Sequence, residues 1–144
     1  MEKLFFVLFT ISLFSGEGWA ASLDEEYKLK QLCENDAQEI FSRETRRMKL
    51  DHYKLSYINH YNKSLKTCFM IIQISTDLNL LDLPVIETLS YDFFDVEENA
   101  KVGSFFMQLD RKSGKKTLFF CHFSGQECHS LPEWQKLIKL YMEE

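Results

Sequence analysis

The chain has 144 residues, with 17 Lys and Arg against 22 Asp and Glu, and its formal net charge at pH 7 is −5. A mildly acidic chain lacks the basic surface that sequence-independent nucleic-acid binding and adsorption to anionic lipid require. We therefore predict no nucleic-acid partner. The length is ordinary for one domain with its own core.

The first twenty residues show the three-part pattern of a cleavable secretion signal. A polar start with Lys3 precedes the apolar residues 4–14, and residues 15–20 are small or polar, with Gly18 and Ala20 at the −3 and −1 positions. The apolar run would cover roughly 16 Å as a helix, about half of a ~30 Å hydrocarbon core. We predict cleavage after Ala20, a periplasmic or secreted location and no membrane insertion afterwards. A buried N-terminal helix is the alternative.

Residues 21–144 are predicted to form a single disulfide-linked domain, which contains all four cysteines. An even number of cysteines in an exported chain favours disulfide bonds. Zinc binding by the four cysteines is the alternative, although the chain has no C-x-x-C spacing. The cysteine count leaves three pairings open. The positions of the predicted elements favour Cys33–Cys68 and Cys121–Cys128.

The first predicted helix covers residues 24–48, where Leu29, Cys33, Ala37 and Ile40 recur at three- and four-residue spacing. Residues 68–74 (CFMIIQI) are apolar and rich in β-formers, which predicts a strand buried on both faces near the centre of a sheet. A helix packed across this strand would bring Cys33 to Cys68.

Three more strands are predicted, at residues 85–94, 104–109 and 116–123. The last two flank a polar turn and form an antiparallel hairpin. Simple alternation places side chains of residues 116–123 on two faces, with Leu118, Phe120 and His122 on one and Phe119, Cys121 and Phe123 on the other. A second turn at residues 124–126 separates Cys121 from Cys128.

The last predicted helix begins after Ser130, where S-x-x-E forms a capping box with Glu133 and Pro132 occupies the first turn. Its apolar stripe consists of Trp134, Leu137, Ile138, Tyr141 and Met142. The predicted fold is α+β, with an N-terminal helix, an antiparallel sheet of about three to five strands, and a C-terminal helix packed on the sheet.

No sequence motif identifies a catalytic residue, a metal site or a cofactor. The four histidines form no H-E-x-x-H or H-x-H pattern, and the serines lack a G-x-S-x-G context. A metal site between His122 and His129 is an alternative to ordinary surface histidines. The acidic residues 92–98 suggest calcium binding as an alternative to a solvated turn, but the D-x-[DN]-x-[DN]-G loop is missing.

The tyrosine-rich residues 51–63 are the candidate binding segment, because tyrosines suit contacts with proteins or sugars. The alternative is a connection whose tyrosines pack on the edge of the sheet. The candidate binding residues are Tyr53, Tyr57, His60, Tyr61 and Asn62.

The segment HYNKSLKTCF, residues 60–69, resembles small exported bacterial proteins that contain an H-Y-N-K-x-L-x-x-C-[FY] segment and four cysteines. Residues 89–98, the Cys121–Cys128 turn and the closing helix resemble later parts of the same group, although Leu89-Ser-Tyr-Asp departs from the usual spacing. The resemblance implies a bacterial envelope setting and adds no mechanism.

The leading functional hypothesis is an exported, non-enzymatic binding module of the bacterial envelope that acts as an inhibitor or accessory of another exported protein. A small envelope hydrolase that uses carboxylates or His60 is one alternative. A structural envelope component, recognisable by an apolar patch and self-association, is the other.

Overall fold

The computed structural model describes residues 17–46, 48, 53–76 and 86–143. The predicted signal lies outside the described residues except for residues 17–20, which form the start of the first helix. The elements in chain order are α1 (Glu17–Thr45), β1 (Tyr53–Asn62), β2 (Thr67–Thr76), β3 (Ile86–Asp95), β4 (Ala100–Asp110), β5 (Lys116–Phe123), β6 (Gln126–Glu127) and α2 (Leu131–Met142).

The predicted α+β fold is confirmed. The described strands form one antiparallel sheet in which spatial order follows sequence order from β1 to β6. The sheet has six strands, rather than three to five, because β1 and the two-residue β6 add to the predicted set. β1 was not predicted because an edge strand needs no continuous apolar run, and its polar side chains resemble a loop.

β2 is buried on both faces, as its apolar sequence predicted, but it is the second strand of the sheet, next to the β1 edge, and does not lie at the centre. Its residues from Cys68 to Ile72 are all buried, because one helix packs on each face of the sheet. Cys68, Met70 and Ile72 belong to the cluster beneath α1. Phe69 and Ile71 belong to the cluster beneath α2.

α1 packs against β1 and β2 through its buried side chains Cys33, Ala37 and Ile40. The helix begins at Glu17, ahead of the predicted residue 24, and ends at Thr45. Next to its buried stripe, the ring of Phe41 lies 4.7 Å from the ring of Tyr57. The Cys33–Cys68 disulfide joins this helix to the start of β2 with a Cα–Cα distance of 5.4 Å.

α2 packs on the opposite face of the sheet, where Trp134 and Ile138 are buried. The Ser130 side chain accepts a hydrogen bond from the Glu133 N–H, as the capping box predicted. The Glu133 carboxylate accepts from the N–H of His129 instead of that of Ser130. The Cys121–Cys128 disulfide joins β5 to the segment before the helix, so both favoured cysteine pairs are those of the structure.

Two disulfide bonds indicate an oxidising location outside the cytoplasm, because cytoplasmic thiols are kept reduced. In the part of the chain that the structure describes, no helix is both long enough and apolar enough to span a bilayer.

Candidate functional site

The tyrosines of the predicted binding segment lie on the face of β1 that α1 covers. Residues i and i+4 of a strand point to the same side, so Tyr53, Tyr57 and Tyr61 share one face. Tyr57 and Tyr61 pack against the buried cluster beneath α1, while Tyr53 is 45% exposed at the start of the strand. Two of the three tyrosines therefore contribute to packing within the domain.

His60 and Asn62 lie on the other face of β1, towards α2. Asn62 is 1% exposed, and its side-chain amide is fully used inside the protein. The Nε2 atom of His60 is buried and has no hydrogen-bond partner among the described residues. The five predicted binding residues are therefore divided between two faces of the sheet and do not form one surface.

The face of the sheet beneath α1 is covered only in part. α1 packs on β1 and β2, and its buried cluster reaches Phe94 at the end of β3. No described helix covers β4, β5 or the rest of β3 on that side. Pairing across the strands arranges the side chains on this side of the sheet in rows, one of which contains Ser90, Phe106 and Phe120. The neighbouring row contains Asp92, Ser104 and His122.

A cluster of aromatic side chains occupies this uncovered area, and we call Phe106, Phe119, Phe120 and His122 the aromatic patch. The Phe106 ring centroid lies 5.1 Å from that of Phe119 and 5.5 Å from that of Phe120. Phe120 lies 6.2 Å from the His122 ring. Phe119 is 54% exposed and Phe120 is 45% exposed.

The patch exists because β5 contains a β-bulge. Phe106 pairs with Phe120 and Met107 pairs with Leu118, which leaves Phe119 as the extra residue. The predicted alternation along β5 is therefore wrong at two positions. Leu118 packs towards α2 with Cys121 and Phe123, and Phe119 joins Phe120 against Phe106. A bulge redirects side chains in this way because the added residue breaks the two-residue period.

Polar side chains border the patch on the side nearer α1. Both oxygens of the Asp92 carboxylate accept hydrogen bonds, one from the Ser104 hydroxyl at 2.7 Å and one from the Lys101 ammonium at 2.9 Å. The same ammonium lies 5.8 Å from the Phe94 ring centroid. A fixed carboxylate, hydroxyl and ammonium therefore lie beside exposed aromatic rings, which is the composition of an interface core with a polar rim.

The row of Asp92, Ser104 and His122 contains the residue types of a catalytic triad, but their hydrogen bonds are not arranged as in a triad. The Ser104 hydroxyl donates to the Asp92 carboxylate, whereas a nucleophilic serine must donate to a histidine that the carboxylate orients. Ser104 is also buried. The arrangement stabilises the sheet and does not activate a nucleophile.

The alternative metal sites also have identifiable surroundings. His122 and His129 both line an open depression beside the Cys121–Cys128 disulfide. In the acidic segment, Asp95 accepts a hydrogen bond from the Glu98 N–H within a turn. Within the described ranges, no three His, Cys, Asp or Glu side chains are placed to hold a metal ion together.

Among the described residues, three groups have pKa values that the structure shifts clearly. Burial raises the pKa of the Tyr91 hydroxyl on β3. Hydrogen bonds from Ser113 and from the Lys112 N–H lower the pKa of Asp110. Hydrogen bonds from Lys30 and Lys63 lower the pKa of Glu26. Both of these carboxyl groups are held ionised, which is opposite to the shift that a general acid requires.

The chain matches no family model, no curated protein sequence and no solved structure.

The sequence interpretation missed the aromatic patch because it treated the phenylalanines of the hairpin as core residues. A signal was present in the Phe119-Phe120 doublet. Adjacent residues of a regular strand point to opposite faces, so where only one face of the sheet is covered, one of two adjacent aromatic residues is exposed. The paired strand carries a second doublet, Phe105-Phe106, of which only Phe105 is fully buried.

Proposed function

We propose that this protein is an exported, non-enzymatic binding module of the bacterial envelope, periplasmic or secreted, which docks onto another exported protein through the aromatic patch. The observation that carries the proposal is the bulge in β5, which places Phe119 next to Phe120 on a face that no described helix covers. Docking would make the protein an inhibitor or an accessory of its partner.

The chemistry of the patch suits a protein partner. Aromatic rings are enriched at the centres of protein interfaces, where they bury large apolar areas at a small cost in side-chain entropy. The adjacent carboxylate of Asp92 and ammonium of Lys101 are already oriented by hydrogen bonds and ion pairing. A partner with apolar side chains at the centre and polar groups at the edge would complement this surface.

The location in the envelope rests on two supports. The first twenty residues have the pattern of a secretion signal, and the two disulfides favour an oxidising compartment. The resemblance of residues 60–69 to small exported bacterial proteins narrows the setting to bacteria. The proposed cleavage after Ala20 is tested by N-terminal sequencing of the protein isolated from the envelope.

The experiment is capture of partners from the envelope extract of the source cells, followed by reconstitution with the purified partner. The test variant is Phe119→Ser/Phe120→Ser. The matched control is Leu32→Ser/Leu140→Ser, which also removes two exposed apolar side chains, on helix surfaces away from the patch. Both variants should fold, because the replaced side chains are exposed, and thermal melting checks this.

We expect one partner to bind the wild type and the control equally and to bind the test variant at least about tenfold more weakly, since an aromatic hot-spot residue at the centre of an interface contributes about 2 kcal/mol or more. If the test variant binds the partner as tightly as the wild type does, the patch is not part of the interface. Sedimentation velocity tests the alternative that the protein is a self-associating structural component of the envelope. If the wild type self-associates and only the test variant is monomeric, the patch joins copies of this chain and the docking proposal is wrong.

A further inference from the structure

A cavity of about 260 Å³ lies between α2 and the sheet, on the face opposite the aromatic patch. Its roof is formed by α2 and includes Trp134 and Ile138, which are one turn apart on the buried side of the helix. Ile58 and Ile71, which pair across β1 and β2, form an apolar part of its floor. The volume is just below the roughly 300–1,000 Å³ range of small-molecule pockets.

The rest of the floor is a polar row that crosses three strands. Ser56 on β1 pairs with Gln73 on β2, and Gln73 pairs with Tyr91 on β3, so their side chains lie side by side. All three line the cavity. Within the described part of the chain, none of these three side chains forms a hydrogen bond with the protein.

Polar groups without protein partners in a partly enclosed cavity hydrogen-bond either to water or to a ligand. Gln73 and Tyr91 are half-buried, and burial raises the pKa of the Tyr91 hydroxyl, so the phenol is kept as a neutral hydrogen-bonding group. None of the described residues that line the cavity carries a charge. A charged ligand would lose its hydration there without an opposite charge to compensate.

We propose that this cavity is a binding site for a small neutral molecule with a compact apolar body and one hydroxyl or amide group. The apolar body would pack between the isoleucines of the floor and Trp134 of the roof. The hydroxyl or amide would hydrogen-bond to the polar row. Ile58 is 59% exposed, which places an apolar side chain at the mouth, where such a molecule would enter. This site is independent of the aromatic patch.

The experiment that tests this proposal follows the NMR signal of the Trp134 indole N–H. The chain has two tryptophans, and the predicted cleavage after Ala20 removes Trp19. In the cleaved protein the Trp134 indole N–H is therefore a single resonance after ¹⁵N-tryptophan labelling, and Trp19→Phe gives the same single resonance in the uncleaved chain. The probes are benzyl alcohol and toluene, which share an aromatic body and differ in the hydroxyl group. We expect benzyl alcohol to shift this resonance saturably, with a Kd of about 1 mM, a reasonable affinity for so small a ligand. Toluene should bind at least threefold more weakly.

Two variants locate the site. Gln73→Leu keeps the side-chain size and removes the amide, so it should weaken benzyl alcohol binding at least threefold while leaving toluene binding unchanged or stronger. Ser56→Leu should fill the cavity from β1 and abolish binding of both probes. Thr117→Leu, an exposed strand position outside the cavity, is the matched control and should bind like the wild type.

If the change in the Trp134 resonance keeps rising in proportion to the benzyl alcohol concentration far above about 1 mM, binding is not saturable and the proposal is wrong. Equal affinity for the two probes in the wild type would overturn the role of the polar row. Retained binding in a folded Ser56→Leu variant would place the probe elsewhere. If that variant fails to fold, the comparison of the two probes in the wild type and the Gln73→Leu variant still decide whether the polar row binds the probe. Loss of partner docking in the patch variant would not alter any of these results.

Discussion

The side-chain nitrogen of Asn62 donates a hydrogen bond to the backbone carbonyl oxygen of Leu140 over 3.0 Å, which joins the end of β1 to the last turn of α2. The same nitrogen lies 3.3 Å and 3.2 Å from the carbonyl oxygens of Tyr141 and Glu143. The side-chain oxygen Oδ1 of Asn62 accepts a hydrogen bond from the Leu65 N–H. The last carbonyl groups of a helix have no hydrogen-bond donors within the helix. The Asn62 side-chain amide therefore supplies a donor to the end of α2 and an acceptor to the turn after β1.

Asn62→Ala should lower the free energy of unfolding by about 2–3 kcal/mol, because buried carbonyl oxygens lose their donor and the Leu65 N–H loses its acceptor. Chemical denaturation monitored by circular dichroism measures this loss. Asn35→Ala, at an exposed position of α1, is the control and should change stability little. A loss below about 0.5 kcal/mol for Asn62→Ala would mean that water replaces the amide.

Gly103→Ala should destabilise the protein by about 1–3 kcal/mol through overpacking. A Cβ atom at this position would lie 2.7 Å from the Phe123 ring, 2.9 Å from the Trp134 ring and 3.1 Å from the His122 carbonyl oxygen. The two rings are buried and cannot move away freely. Combining Gly103→Ala with Phe123→Leu should recover part of the loss in a double-mutant cycle, and strictly additive effects would contradict this packing explanation.

The two disulfides should differ in their contribution to stability. Cys33 and Cys68 are separated by 35 positions, and Cys121 and Cys128 by 7. The entropy of loop closure predicts losses of about 4 and 2.5 kcal/mol on replacing each pair with alanine. Denaturation of the two double variants measures the losses. A larger loss for Cys121→Ala/Cys128→Ala would show that packing at the disulfide outweighs loop entropy.

Asp110 should make stability depend on acidic pH. Its pKa is lowered in the folded protein, so its contribution is complete above the unfolded value of about 3.9 and is lost as pH falls through the lower folded value. Asp110→Asn should therefore reduce the fall in melting temperature between about pH 5 and pH 2. A remaining slope is expected from Glu26, whose pKa is also lowered. If the melting temperature of the variant falls with pH as steeply as that of the wild type, Asp110 does not contribute to the pH dependence of stability.

The sequence predicted those features that depend on local pattern. The apolar stripe of α2 and its Ser130 cap, the apolar run of β2 and the hairpin of β4 and β5 all appear close to their predicted positions. The favoured cysteine pairs followed from the same elements, because each cysteine is placed by a helix stripe, a strand end or a turn. In these segments the repeat of apolar residues and the choice of capping and turn residues already determine the element.

Tertiary structure decided three features of the protein, of which the first and the last carry the two proposals. The bulge that exposes Phe119 depends on how β5 pairs with β4, and the alternation of a single strand does not contain that information. Asn62 became a buried cap because α2 ends beside β1. Ser56, Gln73 and Tyr91 form a row only through the register of three strands. Pairing between different segments sets each of these contacts. A local pattern such as the Phe119-Phe120 doublet can indicate an exposed ring, but it does not contain the partners.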